Sequence, residues 1–269
     1  MNILILSNKD IASNYALNLL LPQLKQDHDL HLWLSEKVGK NNKQPKQLVQ
    51  LKFFEQNLFN QLLAPLMNAS NITKFTDFEG FNTFLKAKVR EENNINGSAS
   101  IQRIKQIAPD LIISIRYGGI LREACINIPT KGVINLHSGI LPKYRGVMAT
   151  FWAMLNGEPN IGTTLHTIDD GSIDTGKIIK VSKIPIKHGQ SYLQHTLELY
   201  QQGVEDIIDA TNTLSSNDKL STTPQAQTNS YFTFPSAEDL VQFEQKGLTL
   251  VNEQAYLDFI RDTYFAANH

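Results

Sequence analysis

Three residues in the middle of the chain have side chains that a single catalytic site could use. Asn135 and His137 stand at i and i+2 in an Asn-Leu-His sequence, and Asp174 follows in an Ile-Asp-Thr-Gly sequence. Residues at i and i+2 of a strand project from the same face, so the amide and the imidazole would point together. An amide is a steady hydrogen-bond donor for an oxygen that becomes negative, and an imidazole carries protons near neutral pH. The pattern predicts a site that stabilises an oxyanion and moves protons, although an Asn-x-His pair at a strand end also fits hydrogen-bonded loop residues.

The start of the chain predicts the opening of a parallel sheet. Residues 2–7 form a short apolar run, residues 13–24 have helical periodicity, and residues 30–34 alternate as a strand. A βαβ unit of this kind binds ligands at the carboxyl ends of its strands. The dinucleotide motif Gly-x-Gly-x-x-Gly is absent from it. Ser13 and Asn14 could offer polar groups to a phosphate, although capping of the helix explains Ser13 better.

Two further buried strands are predicted at 110–115 and 132–136, because both are continuous apolar runs of the kind found in parallel sheets. The loop at 116–121 follows the first strand, and Asn135 and His137 lie at the end of the second. We therefore expect the two carboxyl ends to meet in one crevice.

These elements predict an α/β fold: a Rossmann-like, mostly parallel sheet flanked by helices, with a small C-terminal appendage. We expect a catalytic domain at 1–214, a linker rich in Ser, Thr, Asn and Gln at 215–230, and the appendage at 231–269. The aromatic run at 231–235 is typical of a strand. Helices are predicted at 51–67, 78–89, 148–155, 191–214 and 252–264, a helix end at 102–107, a helix start at 236–239, and paired strands at 162–168 and 176–184.

The overall composition excludes a strong global attraction to nucleic acid or to an anionic membrane. The 269 residues include 25 Lys and Arg against 26 Asp and Glu, a formal charge of −1. Lys37, Lys40, Lys43 and Lys46 form a polar run that we interpret as solvated surface. The single cysteine, Cys125, favours a reducing compartment and a buried, inert thiol. No signal peptide and no membrane-spanning segment are recognisable, so we expect a cytoplasmic protein.

Two longer segments resemble a known family. The segment NLHSGILPKYRG at 135–146 and the segment GEPNIGTTLHTIDDGSIDTGKII at 157–179 are similar to the signature of the formyltetrahydrofolate-dependent formyltransferases. The resemblance covers about residues 1–210 and is specific only from 110 to 180. It implies an enzyme that moves a formyl group from 10-formyltetrahydrofolate, as co-substrate, to a primary amine.

The resemblance also implies roles for individual residues. Asn135, His137 and Asp174 would be catalytic, with the proton transfers left open between the last two. Pro142 would shape the catalytic loop, in a cis or a trans peptide. His166 is either a structural histidine or a ligand contact. Two loops would bind the folate, with an apolar slot from Ile120 and Leu121: Arg116, Tyr117, Gly118, Gly119, Ile120 and Leu121 in the first, and Ile168, Asp169, Asp170 and Gly171 in the second. We expect no metal.

The amine acceptor is the least determined feature. Gly139 replaces a serine that is common in the family and is more like the sugar N-formyltransferases. A phosphate loop like that of glycinamide ribonucleotide transformylase is missing, and the acidic residues after Ser215 argue against tRNA. We therefore expect a nucleotide-linked amino sugar. Methionyl-tRNA and another small amine remain as alternative acceptors, and a non-catalytic folate-binding protein remains as an alternative function. The C-terminal appendage could bind the acceptor, or form a homodimer through Tyr231, Phe232 and Phe234.

Overall fold

The computed structural model describes residues 1–36, 44–69 and 73–265. Lys37, Lys40 and Lys43 lie outside these ranges, so the interpretation of the polar run applies there to Lys46 alone. Lys46 is exposed at the start of a helix, as expected for solvated surface.

A seven-stranded sheet forms the centre of the molecule, in the order β3-β2-β1-β4-β5-β6-β7. The strands β1 to β5 pair in parallel, whereas β6 runs antiparallel to β5 and β7 antiparallel to β6. The predicted mostly parallel α/β sheet and the predicted strand pair after residue 160 are therefore confirmed. The strands are β1 Asn2–Asn8, β2 Asp29–Ser35, β3 Arg90–Glu91, β4 Leu111–Ile115, β5 Val133–His137, β6 Asn160–Thr167 and β7 Ile178–Pro185.

Helices cover both faces of this sheet. The long helix after β2 begins as α2 at Lys46, passes through two π-helical stretches, Phe53–Asn57 and Phe59–Leu63, and ends as α3. The helices are α1 Ile11–Leu24, α2 Lys46–Lys52, α3 Ala64–Ala69, α4 Ser98–Ile107, α5 Glu123–Ile126, α6 Ala149–Leu155, α7 Tyr192–Ser215, α8 Ala237–Gln245 and α9 Glu253–Tyr264.

Alternate residues of the central strands enter two hydrophobic clusters, one on each face of the sheet. On β1, Ile3 and Ile5 belong to the larger cluster and Leu4 and Leu6 to the smaller one. Burial on both faces explains why these strands read as unbroken apolar runs. Helix α7 lies close over β5, since a Cβ at Gly203 would come within 2.8 Å of a methyl group of Leu136.

The C-terminal helices pack into the larger cluster. Tyr264 on α9 donates a hydrogen bond of 2.8 Å to the side chain of Asn14 on α1, and both residues are buried. The ring of Phe243 on α8 stacks on that of Phe151, with 4.5 Å between centroids. The division into domains at 215–230 stays a prediction. The described residues C-terminal to this segment share one hydrophobic core with the sheet.

Two predicted elements and one predicted helix cap, that of Ser13, are wrong. Instead of a helix at 78–89 there is one 3-10 turn, Gly80–Thr83, because the N–H of Val89 donates to the side chain of Asn82 and the N–H of Lys86 to the carbonyl of Leu30 on β2, where a helix would use both. The run at 231–235 forms an isolated bridge rather than a strand. Helix α1 is capped by Asp10, whose carboxylate accepts the N–H of Ser13 at 2.7 Å.

A buried charge cluster, consisting of Asp10, Glu55, Arg116 and Tyr200, connects β1, β4, α7 and the π-helical stretch. The guanidinium of Arg116 donates to Asp10 at 3.0 Å and to Glu55 and Tyr200 at 3.4 Å each. Burial raises the pKa of Glu55 to about 7; the charge of Arg116 opposes this rise, and the charge of Asp10 adds to it.

The Glu55→Gln variant should gain stability relative to the wild type as the pH rises. Folded Glu55 keeps its proton up to about pH 7, whereas in the unfolded chain the proton is lost near the ordinary value of 4.5. The folded state binds more protons between these values, so stability falls with increasing pH in this window. Glu55→Gln removes that loss, and its free energy of unfolding relative to the wild type should rise by about 1–3 kcal/mol between roughly pH 5 and pH 8.

Denaturant unfolding at both pH values measures this difference, with the exposed Glu205 changed to Gln as the control. A difference between Glu55→Gln and the wild type that does not change with pH would contradict the assignment of the shifted carboxyl to Glu55.

Candidate active site

The end of β5 carries Asn135 and His137, and the antiparallel register of β6 sets His166 directly opposite Asn135. Opposed residues on one face of such a pair are in contact distance. The amide Nδ2 of Asn135 lies 3.1 Å from Nε2 of His166, whose Nδ1 lies 2.8 Å from the carbonyl oxygen of Thr167. Since that carbonyl can only accept, Nδ1 carries a proton, and Nε2 faces both the amide of Asn135 and the carboxylate of Asp174. His166 is thus a neighbour of the predicted catalytic residues.

The imidazole of His137 is engaged through both ring nitrogens. Its Nε2 donates to the carbonyl oxygen of Tyr144 at 2.7 Å, and its Nδ1 lies 3.5 Å from Oδ2 of Asp174. The side chain is 8% exposed. Because Nε2 donates to a carbonyl, a proton on Nδ1 would be directed at the carboxylate of Asp174.

Asp174 lies between the two imidazoles. Its Oδ1 is 3.5 Å from Nε2 of His166, and its Oδ2 accepts the backbone N–H of Gly146 at 2.9 Å. Burial by itself disfavours the charged carboxylate, but His137, His166 and the N–H of Gly146 outweigh it and hold the pKa of Asp174 well below its usual range. The group is therefore a carboxylate at neutral pH. Asp174 adopts the left-handed backbone region, with φ at 54°.

The loop after β5 leaves space for the imidazole. A Cβ at Gly139 would lie 2.6 Å from Nε2 of His137, so the ring occupies the volume that any other residue would need. Thr164 on β6 ties the same loop down, because its hydroxyl donates to the carbonyl of Gly139 at 2.7 Å and accepts the N–H of Leu141 at 3.1 Å. The peptide before Pro142 is cis, one of the two forms allowed by the sequence.

The loop at 116–121 differs in part from the expectation. The side chain of Arg116 turns into the buried charge cluster, and its backbone, with φ at 56°, adopts the left-handed conformation. Tyr117 donates its hydroxyl to the carbonyl of Glu92 at 2.6 Å. Only the backbone of this part of the loop is left to meet a ligand.

The apolar part of the two loops does come together. Leu121 is buried and Ile120 is 53% exposed, while Ile168 packs against the cluster that contains Leu121. A Cβ at Gly171 would lie 3.8 Å from the carbonyl oxygen of Leu121, so the loops touch. They form a ledge with one buried and one exposed aliphatic side chain.

The carboxylates of Asp169 and Asp170 are used locally. Asp169 accepts the hydroxyl of Thr167 at 2.9 Å, and Asp170 accepts the N–H of Ser172 at 2.7 Å. Within the described ranges, no group of three or more His, Cys, Asp or Glu residues is arranged to hold a metal ion.

Two further features lie outside the site. Cys125 is buried and burial raises the pKa of its thiol to about 11, which agrees with the predicted inert role. Among residues 1–36, 44–69 and 73–265, no helix is long and apolar enough to cross a membrane.

Gln225 contacts the site although nothing in the sequence indicated it. Its side-chain Nε2 donates to the carbonyl oxygen of Asp174 at 3.0 Å. A glutamine in a segment rich in Ser, Thr, Asn and Gln has no distinguishing pattern, so only the three-dimensional structure could find it.

Comparisons of the sequence and of the fold relate this chain to the same group of known proteins. A sequence profile described as formyl transferase matches residues 42–211. Methionyl-tRNA formyltransferase of Synechococcus sp. (strain JA-3-3Ab) is 36% identical over 131 residues, which are 49% of this chain and 39% of the relative. An enzyme of the same name from Thermus thermophilus is 30% identical over 162 residues, 60% of this chain and 50% of the relative. The matches thus span half or less of these relatives' length.

Solved structures share the fold at low sequence identity. An N-formyltransferase from Helicobacter canadensis, crystallised with folinic acid and dTDP-3-aminofucose, has a TM-score of 0.56 at 18% identity, covering 93% of this chain and 84% of that one. Glycinamide ribonucleotide transformylase 1 from Symbiobacterium toebii has a TM-score of 0.57 at 11% identity, covering 83% and 94%. Since the family profile covers more than half of the chain, the chain belongs to the formyl transferase family.

Proposed function

We propose that this chain transfers the formyl group of 10-formyltetrahydrofolate to a primary amine. The observation that carries the proposal is the convergence of Asn135, His137 and Asp174, which the chain brings together from the end of β5 and the loop after β6. A donor amide, an imidazole and a paired carboxylate are the groups that an acyl transfer to an amine requires.

Each side chain has a distinct part in this proposal. Asn135 donates to the formyl oxygen as negative charge develops there, since its Nδ2 has a second hydrogen besides the one directed at His166. His137 in its charged form adds a positive charge beside that oxygen. Asp174 is a weak base because of its low pKa, so its main contribution is to stabilise the imidazolium.

His137 and Asp174 would also carry the proton transfer that this reaction requires. A carbon–nitrogen bond to the amine forms and the bond to N10 of the folate breaks. The amine loses one proton and N10 gains one. We assign this transfer to the coupled unit of His137 and Asp174, which lie 3.5 Å apart: a proton of the charged ring passes to N10 as its bond breaks, and the ring, now neutral, takes up the proton that the amine loses.

The ledge made by the two touching loops fits the flat pterin ring of a folate. Ile120 offers an exposed aliphatic surface, and Ile168 and Leu121 form the base below it. Backbone groups of 116–119 and 168–171 would supply hydrogen bonds to the ring, except the N–H groups of Gly118 and Ile168, which donate to Ser35 and Val133. The folinic acid in the Helicobacter canadensis structure supports a folate for this fold.

For the acceptor, we infer a nucleotide-linked amino sugar. Residues 231–269 contain six acidic side chains against two basic ones, a balance that repels rather than attracts the phosphates of tRNA. The bound dTDP-3-aminofucose of a structural neighbour is in line with this class. Methionyl-tRNA is the second candidate, because the curated relatives at 30–36% identity carry that name.

Release of tetrahydrofolate from 10-formyltetrahydrofolate tests the function directly. We expect release with a member of a panel of nucleotide-linked amino sugars, and none without an amine. Release with formylatable initiator tRNA alone would select the second candidate. Release without any amine would indicate hydrolysis, and folate binding without release under all conditions would indicate a binding protein; either result would contradict the proposed transfer.

Substitution of the three catalytic residues should separate chemistry from binding. Asn135→Ala, His137→Ala and Asp174→Ala should each lower kcat by about 10²–10³-fold or more, because loss of one oxyanion donor alone has an effect of that size. Folate affinity, measured by fluorescence titration, should change by less than about 3-fold, since these side chains are assigned to the formyl group and not to the pterin ring. Near-native turnover by His137→Ala would refute its assignment.

Gly139→Ala should lower turnover without unfolding the protein. The new methyl group would lie 2.5 Å from Cβ of Ala149, 2.6 Å from Nε2 of His137 and 2.9 Å from the carbonyl oxygen of Tyr144, so the loop that fixes the ring must shift. A misplacement of about 1 Å in a reacting group can lower the rate by about 10²-fold. Steady-state kinetics and the unfolding midpoint should be measured together. An unchanged kcat would mean that the imidazole does not need its present position.

A further inference from the structure

Residues 223–234, which we call the strap, run across both catalytic loops. At one end Thr223 exchanges two backbone hydrogen bonds of 2.8 Å with Ile178 at the start of β7. At the other end Phe232 bonds to the backbone on both sides of Gly146, at 2.8 and 2.9 Å. Backbone hydrogen bonds therefore hold the strap at both ends, at Ile178 and around Gly146, on either side of the Asp174 carboxylate.

The ring of Phe232 secures the second end. It stacks between Tyr144 at 5.5 Å and Trp152 at 5.0 Å between centroids. Tyr144 is the residue whose carbonyl accepts the proton of His137. The end of the strap and the catalytic histidine thus contact the same loop residue.

Between these ends Gln225 holds the turn that carries the carboxylate. Its Nε2 donates to the carbonyl of Asp174 at 3.0 Å and to that of Gly176 at 2.6 Å. Both partners are acceptors, so the amide nitrogen must face them and both of its hydrogens are used. On the other side of the turn, Arg145 donates to the carbonyl of Ile173 at 3.0 and 2.7 Å.

The turn needs such support. Asp174 has a φ of 54°, which a residue with a Cβ adopts rarely unless its surroundings enforce it. Its carboxylate lies 3.5 Å from each imidazole, so a small rotation of the peptide would separate the charges.

We propose that Gln225 is a positioning residue for formyl transfer, fixing the peptide of Asp174 so that its carboxylate faces His137 and His166. This inference rests on the proposed function for its kinetic effect. Gln225 acts through Asp174 and touches no reacting atom.

Kinetics of Gln225→Leu against Gln227→Leu give the first test. Gln227 lies in the same strap, is exposed, and makes no side-chain hydrogen bond to any residue that the structure describes. We expect Gln225→Leu to lower kcat by about 10–100-fold with less than about 3-fold change in the KM for 10-formyltetrahydrofolate. Gln225→Glu, which keeps the shape but loses the donors, should be impaired at least as much. Gln227→Leu should behave as the wild type.

The second test measures the pKa of the Asp174 carboxyl group, by carbon NMR of the labelled residue during a pH titration. The groups that face it are the imidazoles of His137 and His166 and the N–H of Gly146, with Arg145 on the preceding carbonyl. In Gln225→Leu its pKa should rise toward the usual value, whereas Gln227→Leu should leave it unchanged.

The two readouts have separate outcomes. A lower unfolding midpoint of Gln225→Leu with unchanged kcat and an unchanged carboxyl titration would mean a merely structural residue and would overturn the proposal. If the wild type transfers no formyl group to any amine, the proposed function fails, and the NMR titration alone still decides whether Gln225 positions Asp174.

Discussion

The pairing of the Asp174 carboxylate with two imidazoles determines the geometry of the site. His137 and His166 reach it from neighbouring strands, and the N–H of Gly146 reaches it from the loop between them. A buried carboxylate without these partners would be protonated or would move toward solvent. The charge on one side chain therefore constrains two strands and two loops at once.

The change from parallel to antiparallel pairing at β5 makes this possible. A parallel neighbour of β5 would bring its own carboxyl end to the crevice, whereas the antiparallel β6 brings a cross-strand partner for Asn135 and then turns into the loop with Asp174. The glycine at 139 and the hydroxyl of Thr164 let the loop close over the imidazole. The fold thus brings the Asn135 amide, the His137 imidazole and the Asp174 carboxylate into one site.

Sequence reasoning could reach the parts of this arrangement that depend on local pattern. The alternation that pairs Asn135 with His137 and the apolar runs of the central strands follow from strand geometry, and both are present in the structure. The resemblance over 135–179 added Asp174, which no spacing rule connects to the other two. For Asp174, the resemblance to the family was therefore more informative than strand geometry.

Other features depend on contacts between distant parts of the chain and left no local signal. Arg116 belongs to the predicted folate loop, and its side chain turns inward to the carboxyl groups of Asp10 and Glu55. The run at 78–89 has helical composition, yet the side chain of Asn82 and the carbonyl of Leu30 on β2 accept N–H groups that a helix would use. The strap has the composition of a linker, and only its tertiary contacts distinguish it from one.

A double-mutant cycle between His137 and Asp174 tests the central claim, that the ring and the carboxylate act as one unit. The kcat values of His137→Ala, Asp174→Asn and the double variant would be compared with that of the wild type under single-turnover conditions. We predict that the double variant loses little more than the worse single variant. Losses that multiply in the double variant would mean that the two residues act independently, and would contradict the account.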